Sequence, residues 1–504
     1  MLKKLLSKNL PLLLILTLAF FTRIYSITDV PAGFFCDEAA IGYNAYSILT
    51  TGRDEYGKIF PVFFRSFDDY KPPLAIYSTV PFIYIFGLTE LSVRLQSFFY
   101  GIVTIIGIYL LGKEAVSKKL GLWSAFIAAT MPWLIHYNRI GFDNSIYPAF
   151  FIFAIYLCLK SEKNKKYILP FFIILALTLY TYQPARLIVF LLLPFLLWIH
   201  RKAFLLHKKE LVAGLLLFFI IAAYLILSFF TGEGLARFSQ VSLFTARLSF
   251  SDMVFKALYN YFIQLTPGYL FLNGEPTPIT RHFTQGLLPL LGITAPFLFL
   301  GLFFAVKNIR KKFFQLLLFL LIIYPVGGAL VADGPFTSRD IIGAPIFAFL
   351  IALGIMAFAE WIKKTIPYPK IISTFIAILI LANCIFFLRF YFITYPLYSS
   401  GYWGWQYGPK YIVSYFLKEK NNYDDEIMQP IFNGPDIFFK FYAPNNCSKC
   451  RLGVPDNMLD RRRKQLFALT PDYLLKNPGF HFKTKKTIYY PNGSIAFVLG
   501  EIGN

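Results

Sequence analysis

The stretch from Pro72 to Leu88, PPLAIYSTVPFIYIFGL, decides how the whole chain is threaded. It is apolar enough to enter a bilayer, yet at 1.5 Å per residue it is short for a hydrocarbon core of about 30 Å, and Pro81 interrupts it. Whether it crosses sets the side of everything that follows. The lysines and arginines decide, because short basic loops stay on the cytoplasmic side of a membrane.

Outward from this stretch, long apolar runs lie near residues 10–27, 92–111, 121–137, 145–159, 167–180, 186–200, 211–230, 286–306, 313–331, 341–361 and 370–393. A chain of 504 residues that is 57% hydrophobic and 19% aromatic, with this many runs, reads as a polytopic α-helical membrane protein of about eleven spans. The first run follows a basic start and lacks a convincing small-residue cleavage site, so it reads as a retained span. Basic clusters lie at Lys3, Lys4 and Lys8; at Lys113, Lys118 and Lys119; and at Lys160, Lys163, Lys165 and Lys166. Others lie at Arg201, Lys202, Lys208 and Lys209; at Lys307, Arg310, Lys311 and Lys312; and at Lys363 and Lys364. If residues 72–88 do not cross, every cluster is cytoplasmic; if they cross, every cluster after the first moves outside. Residues 72–88 are therefore expected to form a juxtamembrane or re-entrant helix.

That threading collects residues 28–90, 138–145, 180–186, 231–285 and 332–340 on the external face, with a tail from about 394. The chain divides into a transmembrane domain, residues 1–393, and an extracytoplasmic domain, residues 394–504. The second is polar and large enough for one small α/β core. The formal charge of +22 is spread through loop clusters that orient a membrane protein, so nucleic acid is not an expected partner, whereas membrane lipids are. Five cysteines provide no disulfide framework; Cys158 and Cys384 read as small apolar residues in spans. The CSKC pair, Cys447 and Cys450, has no second pair to complete a zinc site, and whether it is oxidised is open.

Asp37, Glu38, Asp68, Asp69, Lys71 and Asp143 then face one side, close to the membrane surface. There is no P-loop and no HExxH helix, which leaves little basis for ATP hydrolysis or zinc proteolysis. Carboxylates gathered at a bilayer edge suit chemistry on something the lipid delivers. A plainer reading makes Asp37 and Glu38 the cap and first-turn acid of a helix beginning near Ala39. Lys71 also reads as an interfacial lysine, and Asp143 as a helix cap.

The motifs FFCDEAAIGYNAYSILTTGRDEYG (34–57), FRSFDDYKPPLAIY (64–77) and ELSVRLQSFFYG (90–101) resemble the first external loop and second span of the protein O-mannosyltransferase-like bacterial glycosyltransferases. This is glycosyltransferase family 39, which includes the transferase that puts aminoarabinose on lipid A. The segments at 131–157, 177–195 and 337–355 are similar to the family's next acidic site, a further span and a late arginine-bearing loop. The resemblance covers roughly residues 10–393. It implies the C-type glycosyltransferase fold with juxtamembrane helices in the first external loop. It also implies an inverting transfer of a sugar from a polyprenyl-phosphate donor to a hydroxyl or amine of a protein, lipid or glycan acceptor on the external face of the cell membrane.

By the same resemblance Asp37 is the catalytic base and Lys71 the contact to the donor phosphate. Arg339, and Arg281 or His282 in PITRHFTQG (278–286), supply further charge for the leaving phosphate. Glu38, Asp69 and Asp143 bind or position substrate, Glu38 by orienting the loop. Apart from the resemblance, Tyr182 and Gln183 read equally as the lining of a sugar site or as a wet helix end. Members of the family differ in metal use, so a divalent metal stays open and none is assigned. The rival reading is a transporter or flippase of lipid-linked sugars, which would bury its ionisable residues within spans near the midplane. Here the acids lie in loops, which favours an enzyme.

Overall fold

The computed structural model describes residues 2–67, 69–283, 286–363 and 368–503; Asp68 and Lys364 lie outside them. The first helix, α1 (Leu2–Ile24), leads through a loop to α2 (Cys36–Thr51), a hairpin of β1 (Phe64–Ser66) and β2 (Asp69–Lys71), and α3 (Pro73–Phe86). Pro72 and Pro73 pre-set the backbone at the start of α3, and Gly87, at φ 73°, ends it. Its 14 residues give roughly 21 Å of helix, shorter than a bilayer core of about 30 Å.

Apolar helices of varied length follow: α4 (Glu90–Ala115), α5 (Lys118–Thr130), α6 (Pro132–Tyr137), α7 (Tyr147–Ser161), α8 (Ile168–Thr178) and α9 (Gln183–Ile199). Beyond these lie Lys208–Thr231, Ala295–Lys307, Lys312–Ile323, Gly343–Ile362 and Pro369–Arg389. Among the described residues six helical segments are long and apolar enough to cross a membrane, and four shorter apolar helices accompany them. The difference from eleven spans has a local cause. The run at 121–137 is broken where Pro132 removes a backbone donor and opens α6, and the run at 167–180 yields only the 11-residue α8. The last apolar segment continues through Ser399, beyond the boundary read at residue 393.

The C-terminal domain carries five strands, β3 (Asp425–Met428), β4 (Cys450–Leu452), β5 (Gln465–Leu469), β6 (Phe482–Tyr489) and β7 (Ile495–Ile502). They are ordered β4-β3-β5-β7-β6, parallel where β3 meets β4 and β5 and antiparallel at β7. Helices Pro409–Glu419 and Asp436–Tyr442 accompany the sheet, so the domain is α/β as the composition suggests. It is stitched to the first loop. A Cβ on Gly42 of α2 would sit 2.5 Å from the Phe441 ring, Lys440 pairs with Glu55 at 3.0 Å, and the Tyr442 hydroxyl donates to Glu90 at 2.6 Å.

Candidate active site

Asp37 and Glu38 both lie in the first turn of α2, where the helix dipole favours carboxylates, and adjacent positions on a helix point about 100° apart. They meet different surroundings. Glu38 is fully buried and accepts from Arg94 Nε (2.9 Å), Arg94 Nη2 (3.2 Å), Phe35 N (3.1 Å) and Gly141 N (2.8 Å). Arg94, from the SVRL stretch on α4, also donates to the carbonyls of Ile27, Pro31 and Gly33. Glu38 therefore does not line the cavity and makes no substrate contact; it ties α2, α4 and the 138–145 loop together from behind the site, an arrangement in which it would act by orienting the loop.

Asp37 points the other way, into a cavity of ≈460 Å³, with about a third of its side chain exposed. Lys71, at the end of β2, donates to Asp37 Oδ1 at 2.8 Å. The wall also carries Asp69, Asp143, Tyr182, Gln183, Arg281, His282 and Arg339. Five separate loops thus converge on one space. Local bonds hold them in register: Gln183 Nε2 donates to Tyr70 O at 3.1 Å, Asn144 Nδ2 to Ser338 O at 3.1 Å, and His136 lies 3.0 Å from Arg281 O.

Burial pushes the Asp37 carboxyl up, but the ammonium of Lys71, together with Arg237 and Arg281, more than offsets this and leaves it below the usual aspartate range. Burial likewise pushes Lys71 down, and Asp37, Asp143 and Asp69 together hold it above the usual lysine value. The pair is charged at neutral pH. Arg281 lies over the Phe35 ring, 4.1 Å from its centroid, and donates to Trp403 O at 3.2 Å. Arg339 stands 5.9 Å over Phe336, and its Nε is buried without a hydrogen-bond partner. A buried guanidinium nitrogen left in that state favours an incoming anion.

His282 behaves differently. Burial lowers its affinity for a proton despite the opposing effect of Glu275, which leaves Arg281, of the two residues the sequence offers as alternatives, as the source of positive charge. Its Nδ1 lies 2.9 Å from Glu275 Oε2, and Glu275 also accepts from Thr337 N at 2.7 Å and from the Thr337 hydroxyl. Arg237, which the sequence reading did not single out, lines the cavity and reaches 3.7 Å from Asp69 Oδ2. Only its position on a short helix (Ala236–Val241) inside a loop read as external could have suggested it. The C-terminal domain enters too, through Asn433 and Gly434. Asp37, Asp69 and Asp143 share the cavity without bringing three donor atoms within 4.8 Å of one another; the described residues do so only at Glu426, Cys447 and Cys450.

Residues 70–227 match the family model described as dolichyl-phosphate-mannose-protein mannosyltransferase. No curated protein matches the chain. Among solved structures the chain is similar to ArnT from Cupriavidus metallidurans bound to undecaprenyl phosphate, at 11% identity and a TM-score of 0.62, covering 98% of this chain and 97% of that one. It is also similar to the archaeal oligosaccharyltransferase AglB from Archaeoglobus fulgidus in complex with an inhibitory peptide and a dolichol-phosphate. That match has 13% identity and a TM-score of 0.57, covering 98% of this chain and 74% of AglB. These likenesses extend through the C-terminal domain as well as the helices, and the chain has the fold these proteins share, the C-type glycosyltransferase fold that its motifs resemble.

Proposed function

We propose that this chain, a multi-pass membrane protein with that fold, is an inverting glycosyltransferase. It moves a hexosyl or pentosyl group from a polyprenyl-phosphate donor to a hydroxyl or amine of a protein, lipid or glycan acceptor on the external face of the cell membrane. The observation that carries the proposal is the Asp37–Lys71 pair, 2.8 Å apart, on the wall of a cavity that also holds Asp143 and the guanidiniums of Arg281 and Arg339.

Transfer needs a base and a seat for the leaving phosphate. An acceptor hydroxyl attacks the anomeric carbon as its proton passes to Asp37, and the sugar's bond to phosphate breaks on the opposite face. The leaving phosphate gathers negative charge and needs cations rather than a proton donor; Lys71, Arg281 and Arg339 supply them. In the empty site Lys71 holds the Asp37 carboxylate and weakens it as a base. A donor phosphate draws the ammonium toward itself, so donor binding makes Asp37 more basic and prepares it for the acceptor. Asp69 with Arg237, Asp143, Tyr182 and Gln183 surround the space left for the sugar. A transporter is the less favoured reading, because the ionisable groups gather in loops around one cavity.

The test is single-turnover transfer and polyprenyl-phosphate binding in one nanodisc preparation. Asp37→Asn keeps the shape but loses the base, and transfer should fall about 10²- to 10⁴-fold with donor binding little changed. Lys71→Met should weaken both. Near wild-type transfer by Asp37→Asn sinks this mechanism.

A further inference from the structure

Outside the residues that line the cavity, at an edge of the C-terminal sheet, Cys447 and Cys450 flank a tight turn and are joined as a disulfide. The register sets Cys450 on β4 directly beside Glu426 on β3. Both cysteines are partly exposed, and their sulfurs lie 3.7 and 3.8 Å from Glu426 Oε2. Glu426 itself is fully buried, and its Oε1 has no hydrogen-bond partner. A buried carboxyl with an unsatisfied oxygen is costly unless it holds or exchanges a proton, and the groups beside it that exchange protons on reaction are the two sulfurs.

We propose that Cys447, Cys450 and Glu426 form a thiol–disulfide exchange centre whose co-substrate is a dithiol, either a small molecule or a pair of cysteines on another protein. A thiolate of the dithiol attacks one sulfur, the bond between Cys447 and Cys450 breaks, and the other cysteine leaves as a thiolate that takes the proton of Glu426. The second thiol of the co-substrate then attacks the mixed disulfide and releases the remaining cysteine. Two electrons pass to the protein, the dithiol becomes a disulfide, and its two protons end on Cys447 and Cys450 after Glu426 is re-protonated from solvent.

The surroundings support proton exchange over capture of a metal cation. Burial pushes the Glu426 carboxyl up to about 7, with Lys449 and Lys420 opposing and Glu419 assisting. Lys449, between the cysteines in sequence, donates to the carbonyls of Lys420 (2.8 Å) and Tyr423 (2.7 Å), which fixes a positive charge beside the turn. That charge favours a thiolate and repels a cation. The three other cysteines, Cys36, Cys158 and Cys384, are buried, so native thiol chemistry reads this pair.

The experiment follows reduction of the full-length protein by dithiothreitol across neutral pH, with native thiol alkylation as readout. Protonated Glu426 gives its proton to the leaving cysteine thiolate, and ionised Glu426 repels the incoming thiolate, so the wild-type rate should bend downward near pH 7 from the rise set by the attacking thiol. Glu426→Gln should remove the bend and slow reduction below it by at least about tenfold, the low side of what a positioned proton donor supplies. Superimposable profiles overturn the proposal. Should Glu426→Gln not fold, a wild-type profile that rises straight through pH 7 overturns it equally. So does stoichiometric zinc uptake by the reduced protein that shields both thiols, which would make the cluster a metal site.

Discussion

Replacing each of the two adjacent carboxylates by its amide should break the protein in two different ways. In Glu38→Gln the shape is kept, but each carboxylate oxygen accepts two bonds, Oε1 from Arg94 Nε and Gly141 N, Oε2 from Phe35 N and Arg94 Nη2. Whichever way the amide turns, its NH₂ opposes two donors in a fully buried place. Each unsatisfied donor costs about 1–3 kcal/mol. Arg94 also loses the carboxylate that balances it, and breaking a buried pair costs about 3–5 kcal/mol. The two costs overlap, so about 3–5 kcal/mol is expected in all. Asp37→Asn removes a pair whose carboxylate is about a third exposed, and its stability cost should be about 1 kcal/mol or less. Thermal unfolding in detergent by intrinsic fluorescence reads the first effect, and single-turnover transfer by the folded fraction reads the second. Glu38→Gln should unfold at a clearly lower temperature, with transfer per folded molecule down by less than about tenfold. Asp37→Asn should melt almost as wild type while transfer falls about 10²- to 10⁴-fold. A Glu38→Gln protein that melts like wild type yet loses transfer to the same degree as Asp37→Asn would refute the division of roles.

Lys71→Met should move the acid limb of kcat/KM to higher pH. In the donor-free protein burial pushes Asp37 up and the Lys71 ammonium, helped by Arg237 and Arg281, holds it below its ordinary 3.8, so removing Lys71 raises it; an unmoved limb in kcat/KM, which reports the free protein, would detach Asp37 from Lys71. Deleting the chain from Trp405 onward should unfold the first loop rather than leave a donor-binding core. Trp405 is fully buried, its Nε1 donates to the Tyr395 hydroxyl at 2.8 Å, and its ring packs 5.8 Å from those of His136 and Phe142. A truncated protein with a wild-type melting curve and intact polyprenyl-phosphate binding would contradict this. For sidedness, a cysteine at exposed Lys119 (Lys119→Cys) should react with an impermeant reagent only after lysis, and one at exposed Ser494 (Ser494→Cys) on intact cells. External labelling at residue 119 would mean that residues 72–88 cross after all.

Composition and charge placement carried the membrane class, the many apolar helices and the short helix at 72–88, because these follow from chain-local properties: hydropathy, length and the positions of proline and lysine. The acids at Asp37, Asp69 and Asp143 and the cations at Lys71, Arg281 and Arg339 were legible for a related reason, since short motifs in loops state residue types directly. What no local pattern contains is direction and neighbourhood. Asp37 and Glu38 are adjacent in sequence and identical in kind, yet one faces a cavity and the other is enclosed by Arg94 and two backbone amides, which only the packing of α2 against α4 decides. Arg237 and Asn433 come from segments distant in the chain and become site residues only when loop and C-terminal domain close over the helices. His282 is a histidine like any other until burial lowers its affinity for a proton. Side-chain chemistry is a property of the residue, whereas charge state, partner and exposure belong to the space around it, and that space is built from contacts between residues hundreds of positions apart.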